Sequence, residues 1–351
     1  MKVLKYFALL LLLLCGCENC PTSNEDLAQN TIFFNTKALN SEKSKIFSIS
    51  SNSNNLKFRG NGQIFSAPSA ANNIAVLEEG ENNFKELFLK NIKSGEKTLL
   101  LKESATIKID KPAISPKSGF IAYQGGERQL FIFPFKEQIS YLISNDFLTN
   151  SIPSFSPNGE YLAFFEKQGE SERVKLKVLK AKNNTEVLID YTFEYGLPDY
   201  SGDFVPNWSA DSKSIFFSME IHSELFTLNY VNLEEKKFSS IPVDFVGVIN
   251  PAVSSDNELV AFTGIDGNIY LFDYKNENTL PEILVKKRNN LECCNNSLFS
   301  NDNSVILYSR YENSEMLEFS ASLEIVDLKS KKISLLMNNI EYAFWNSYAK
   351  Q

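Results

Sequence analysis

Pro153-Ser154-Phe155-Ser156-Pro157-Asn158-Gly159-Glu160-Tyr161-Leu162-Ala163-Phe164 reads as a strand, a tight turn and a second strand. Ser156-Pro157-Asn158-Gly159 places Pro at the second and Gly at the fourth position of a type I turn. An aliphatic and an aromatic residue follow six and eight places after Ser156. The phrase returns as Pro112-Ala-Ile-Ser115 with Ile121 and Tyr123, and as Pro206-Asn-Trp-Ser209 with Ile215 and Phe217. Two further copies are Pro251-Ala-Val-Ser254 with Val260 and Phe262, and Ser297-Leu-Phe-Ser300 with Ile306 and Tyr308. Successive serines stand 41, 53, 45 and 46 residues apart, the period of a four-stranded blade rather than of a helical or leucine-rich repeat. From Thr31 onward short apolar runs alternate with Asn/Ser/Gly/Lys turns and no helical period is sustained, so the chain is read as all-β.

Each repeat keeps one order of strands. Strand A ends at the serine and strand B carries the aromatic. Strand C is the next apolar run, as in Leu130-Phe-Ile-Phe133, Leu176-Lys-Val-Leu179, Leu225-Phe-Thr-Leu228, Ile269-Tyr-Leu-Phe272 and Leu323-Glu-Ile-Val326. A more polar strand D closes the unit, for example Gln138–Leu142 or Lys332–Leu336. Inner strands that are apolar on both sides suit blades packed face to face.

The full phrase, best kept from Pro153 to Phe164, resembles the WD-like repeat of TolB-type β-propellers, and the resemblance covers nearly all of the chain after residue 30. Four copies lack Gly at the turn position, with Gly119 one place late and Lys117 in the turn. Phase sets the number of blades. Asn72–Val76 and Leu87–Leu89 match strands B and C of a blade before the five clear ones. Ile32-Phe-Phe34 and Lys45–Ile49 supply a further B-C-D set with no strand A ahead of it, and Ala343-Phe-Trp345-Asn346, followed by five residues, supplies a strand A. The expected fold is therefore a propeller of seven four-stranded blades whose C-terminal strand joins the N-terminal blade, removing the exposed edges of both units. The alternative is six blades with residues 31 to 60 as a separate cap.

Lys2 and Lys5 precede an apolar run from Tyr6 to Leu14, too short to span a bilayer and laid out like a secretory leader. It runs into Leu14-Cys15-Gly16-Cys17, which resembles the lipobox of bacterial lipoproteins. The expected organisation is a signal peptide over 1–16, lipidation at Cys17, a polar tether over 17–30 and the propeller over 31–351. That places the protein in the bacterial envelope, held to a membrane by its lipid. In that compartment Cys20, Cys293 and Cys294 are an odd set, open to a bridge from Cys20 to one of the pair, a vicinal bridge or free thiols.

Composition narrows the chemistry. A net charge of −8, from 35 basic and 43 acidic residues, gives no clustered basic surface for nucleic acid. His222 is the one histidine, set at the turn between strands B and C of its blade, so histidine-based triads and multi-histidine metal sites have too few imidazoles. No Gly-rich phosphate loop opens a helix. Glu78-Glu79, Glu234-Glu235 and the Asp199/Asp203 pair are read as solvated carboxylates, and Gly264-Ile-Asp266-Gly267-Asn268 as a tight turn rather than a calcium loop. No catalytic residue, metal site or cofactor is expected.

One stretch breaks the repeat. The 53-residue step comes mostly from residues 191–204, between strand D of one blade and strand A of the next. Strand alternation puts such connections on the face that carries the B-to-C loops, and Arg288–Asn296 is read as another of them. Tyr191, Phe193, Tyr195, Asp199, Tyr200, Asp203 and Phe204 are the candidate partner-binding residues, with aromatics that fold back over the blade edge as the structural counterpart. The resemblance implies a non-catalytic lipoprotein that holds an envelope protein partner. Glycan or small-ligand binding at the propeller mouth is the alternative, and a propeller lyase or hydrolase is disfavoured by the lack of histidines and of a nucleophile motif.

Overall fold

The computed structural model describes residues 31–36, 44–50, 56–69, 71–117, 119–169, 173–193, 204–222, 225–241, 247–276, 279–289, 292–312, 320–338 and 340–345. The expected leader, Cys17, Cys20 and the tether lie outside them. The described strands form seven antiparallel sheets, six of four strands and one of three. These are the blades of a seven-bladed propeller.

Blade 1 is the seam. Its strand A is Ile340–Trp345, at the far end of the chain, and its strands B to D are Thr31–Thr36, Lys45–Ser50 and Lys57–Asn61. Ile32, Phe33 and Phe34 pair with Trp345, Phe344 and Ala343. Residues 31–61 are thus a blade and not a cap. Blade 2 runs through Asn73–Glu79, Lys85–Asn91 and Lys97–Lys102, with a Gln63–Leu77 bridge in the place of strand A. Blade 3 comprises Asp110–Ile114, Phe120–Gly125, Gln129–Pro134 and Tyr141–Ser144. Blade 4 comprises Ser154–Phe155, Tyr161–Lys167, Val174–Lys180 and Asn183–Thr192. Blade 5 follows with Asn207–Trp208, Ser214–His222, Leu225–Asn232 and Lys237–Ile241. Blade 6 has Ile249–Val253, Leu259–Thr263, Ile269–Asp273 and Glu282–Val285, and blade 7 has Glu292–Phe299, Val305–Glu312, Ser320–Asp327 and Ile333–Asn338.

The aliphatic and aromatic residues of the repeat face the preceding blade. Leu162 and Phe164 of blade 4 pack with Leu130 and Ile132 of blade 3, Ile215 and Phe217 of blade 5 with Leu176 and Val178 of blade 4, and Ile32 and Phe34 of blade 1 with Leu307 and Leu323 of blade 7. One such apolar cluster fills every junction, including the seam. This is why strands B and C are apolar on both faces. Beside the seam, the buried Asn35 amide imitates a strand, donating to Ile64 O at 2.9 Å and accepting from Ile64 N at 3.2 Å, which ties blade 1 to blade 2.

Three departures from the sequence reading are matters of register. Strand D of blade 3 is Tyr141–Ser144 and not Gln138–Leu142, because Gln138 takes a positive φ of 54° in the preceding turn. In blade 5, Leu228–Val231 rather than Leu225–Leu228 occupies the slot of Leu323–Val326, since Ile215 pairs with Val231 as Ile306 pairs with Val326. In blade 7, residues from Glu292 onward belong to strand A, so the connection from blade 6 ends before Cys293 and Cys294. Cys294 is fully buried at the junction of blades 6 and 7, opposite Arg310.

The serine that ends each phrase organises the turn after it. Ser156 Oγ donates to Asn158 Oδ1 at 2.7 Å and accepts from Tyr161 N at 3.0 Å. Ser209, Ser254 and Ser300 repeat this with Asp211, Asp256 and Asp302 and with the backbone N–H five residues on. The fourth turn residue has a positive φ in each, 68° at Gly159, 63° at Ser212, 58° at Asn257 and 54° at Asn303. Where Gly is missing, the replacement bonds the neighbouring blade. Ser212 Oγ accepts from Asn158 N at 3.0 Å, Asn257 Oδ1 from Ala210 N at 2.8 Å, and Asn303 Oδ1 from Ser255 N at 2.8 Å. Asn tolerates the left-handed region better than most residues. Asn303→Ala should therefore lose about 2 kcal/mol, from the clasp and the αL strain together, and Asn303→Gly about 1 kcal/mol, from the clasp alone. Equal losses in urea titration would show that the clasp, and not the backbone, sets the cost.

Candidate functional site

Connections from strand D to the next strand A and the loops between strands B and C share one face of the ring. The long connection between blades 4 and 5 is fixed at both ends. Phe193 and Phe204 are both buried in the core between those blades. Phe193 lies 5.1 Å from Phe217 and 6.0 Å from Phe238 between ring centroids. Phe204 is stitched to the connection before it, since Ile152 N donates to Phe204 O and Phe204 N to Asn150 O, both at 2.8 Å. Tyr191 stacks on Phe238 at 4.8 Å and 12°, touches Phe193 at 5.2 Å, and remains 39% exposed. Of the seven expected partner-binding residues, Phe193 and Phe204 are thus committed to packing and Tyr191 lies at the surface. Tyr195, Asp199, Tyr200 and Asp203 lie outside the described residues.

The other residues singled out from the sequence are dispersed. His222 ends strand B of blade 5 and pairs with Leu225. Glu78 lies in strand B of blade 2 and pairs with Lys97 at 2.6 Å, and Glu234 pairs with Lys213 at 2.9 Å. Gly264–Asn268 is a closed turn, with Gly267 N donating to Gly264 O at 2.9 Å and Gly267 at φ 81°. Among the described residues no group of three His, Cys, Asp or Glu side chains is placed to hold a metal.

A second feature of this face went unnoticed in the sequence. Glu324, in strand C of blade 7, is almost wholly buried and gathers three donors. Tyr308 Oη donates to its Oε2 at 2.6 Å, Arg310 Nε to the same oxygen at 3.0 Å, and Arg288 Nη2 to Oε1 at 2.9 Å. Arg310, also buried, reaches Glu292 Oε2 with Nη1 at 3.2 Å. Burial first, and then the bond to Glu324, hold the Tyr308 hydroxyl well above the usual phenol range, so it stays a proton donor. The cluster balances two guanidinium groups against two carboxylates, as burial of charge requires. It arises from charged residues inside otherwise apolar inner strands, Glu324 in Leu323-Glu-Ile-Val326 and Arg310 two places after the repeat aromatic. Blade 4 holds an ion pair of reversed polarity in the same two slots, Glu166 and Lys177 at 2.9 Å. That recurrence is the signal a reading of strand phase would have used.

No family model and no curated protein matches this chain. Solved structures do. TolB from Acinetobacter baumannii aligns over 92% of this chain and 67% of its own, with 13% identity and a TM-score of 0.51. Oligogalacturonate lyase from Vibrio parahaemolyticus aligns over 88% of this chain and 85% of its own, with 13% identity and a TM-score of 0.56. The β-propeller domain of the Trilobed protease from Pyrococcus furiosus, with an open velcro topology, aligns over 89% and 96%, with 14% identity and a TM-score of 0.59. These likenesses show the fold. The present ring, unlike that open one, is closed by pairing of its terminal strands. Because the similar structures include a lyase and a protease domain beside TolB, function rests on the site.

Proposed function

We propose that the protein is a non-catalytic lipoprotein of the bacterial envelope, anchored through Cys17, whose propeller holds a protein partner on its loop-bearing face. The leader supports the location, with Lys2 and Lys5 ahead of an apolar run that stops at Cys17. The observation that carries the binding reading is the footing of the long connection. Its ends are fixed by two buried phenylalanines, and Tyr191 stands exposed beside one of them. A loop held at both feet loses less conformational freedom on association than one hinged at a single end. Phe238 covers one face of the Tyr191 ring, leaving an amphipathic edge of the kind enriched at protein interfaces. Tyr195, Asp199, Tyr200 and Asp203 belong to the span between the two feet.

The test is affinity purification from detergent-solubilised membranes with the wild type and with a Tyr191→Ala, Tyr195→Ala, Tyr200→Ala variant. Phe204 is spared because it is core. The wild type is expected to bring down one protein in stoichiometric amount and the variant to lose it. No stoichiometric protein with either form, or equal recovery with both, would overturn the reading.

A further inference from the structure

Arg288 is presented on the same face by groups that are themselves buried. Its side chain is 60% exposed, while Glu324, which holds one end of its guanidinium, is 2% exposed. Glu324 cannot swing to follow it, because Tyr308 and Arg310 occupy the other oxygen. The backbone beneath is equally constrained. Lys287 N donates to Asn268 Oδ1 at 2.8 Å and Arg288 N to Glu292 Oε2 at 2.9 Å. Asn268 is braced in turn by Asp266, which accepts from its Nδ2 at 2.6 Å and from Tyr270 Oη at 2.9 Å. The result is a run of three cations, Lys286, Lys287 and Arg288, beside two carboxylates, Glu292 and Glu324, that are buried and bonded to Arg310.

From this we infer that Arg288, flanked by Lys286 and Lys287, is an anchor for a carboxylate on an acidic segment of a protein partner. The inference rests on the partner-binding reading above and names the chemistry of that partner. A guanidinium held through one Nη2 bond offers its remaining N–H groups in a plane, which matches a carboxylate bidentately. Phosphate sites add a cradle of backbone N–H groups. Here the N–H groups of Lys287 and Arg288 are already consumed by Asn268 and Glu292, so recognition falls to the side chains. Pre-organisation by a buried carboxylate removes much of the entropy that a long side chain otherwise loses on binding.

The test uses a fluorescent hexaglutamate peptide as the probe, with anisotropy read at two salt concentrations on the full folded domain. Wild-type protein is expected to bind it, Arg288→Gln to bind about tenfold more weakly, and Arg288→Lys about threefold more weakly because charge remains but the fork does not. Arg288→Gln leaves Glu292 and Glu324 with Arg310 as their cation, whereas Arg288→Lys keeps the charge. The melting temperature of each variant is therefore read beside its affinity, and weaker binding by Arg288→Lys at an unshifted melting temperature separates binding from folding. Hexaglutamate affinity that is the same in all three proteins would overturn the inference. So would Arg288-dependent binding to phosphatidylglycerol vesicles or to a phosphoserine peptide of equal charge that exceeds binding to hexaglutamate. Repeating the membrane purification with Arg288→Gln keeps the two readings apart. A partner recovered equally by wild type and Arg288→Gln leaves the binding function standing and removes Arg288 from it. Arg288-dependent peptide binding with no partner recovered leaves the carboxylate anchor and removes the partner function.

Discussion

Deletion of Tyr342–Gln351 is expected to destabilise the propeller by about 5 kcal/mol or more. The deletion removes Ala343, Phe344 and Trp345, the partners of Phe34, Phe33 and Ile32, three side chains that are 0% exposed in the ring. Fully burying a residue of this size is worth about 1.5–3 kcal/mol, and each ladder hydrogen bond adds about 0.5–1.5 kcal/mol. Loss of the strand also bares the inner edge of Thr31–Thr36, and an open edge invites pairing with another chain. Urea unfolding should show a lower midpoint for the truncated protein, and size-exclusion chromatography should show association. A midpoint equal to that of the full chain would mean that the seam carries no load.

Arg310→Leu is expected to cost about 3–5 kcal/mol, the usual penalty for leaving a buried charge without its partner. Glu292 and Glu324 would both lose their buried cation, Glu292 at 3.2 Å and Glu324 at 3.0 Å from the guanidinium. Glu324 would keep Tyr308 and Arg288, whereas Glu292 would keep the Arg288 backbone N–H. Changing Arg310, Glu292 and Glu324 together to Leu should recover most of the loss, because an apolar set of similar volume replaces a buried ionic cluster at little net cost. Equilibrium denaturation of the single and triple variants decides this. A triple variant no more stable than Arg310→Leu would show that the cluster stabilises in its own right rather than merely avoiding unpaired charge.

The blade architecture was legible because its signals are local. Period-two strands and Ser-led turns are written within about a dozen residues, and the same phrase is sampled five times. The seam was the favoured reading of a B-C-D set without a strand A at one end and a strand A without its blade at the other, and the pairing of residues 32–34 with 343–345 decides for it against a separate cap. Errors arose where a strand could slide against its neighbour. Leu225–Leu228 and Leu228–Val231 are both apolar enough for strand C, and only pairing of Ile215 with Val231 chooses between them. Four copies of the phrase lack the turn glycine. At three of the turns without glycine the residue is Ser212, Asn257 or Asn303, whose side chain bonds the preceding blade 47 to 54 residues away.

The sequence by itself determined the all-β class, the order of strands within a blade and the face that bears the irregular connections, because each follows from apolar runs and turn chemistry along the chain, whereas the pairing of Phe33 with Phe344 decided for seven blades over six. The tertiary structure decided what the side chains on that face are for. Phe193 and Phe204 look like any loop aromatics until the junction of blades 4 and 5 buries both. Arg288, Glu292, Arg310 and Glu324 look like solvated charges until the register of blade 7 and its packing on blade 6 bring them within hydrogen-bonding distance. Burial is a property of the assembled ring, and a charge changes from a solubilising group to a directing one only when water has been removed around it.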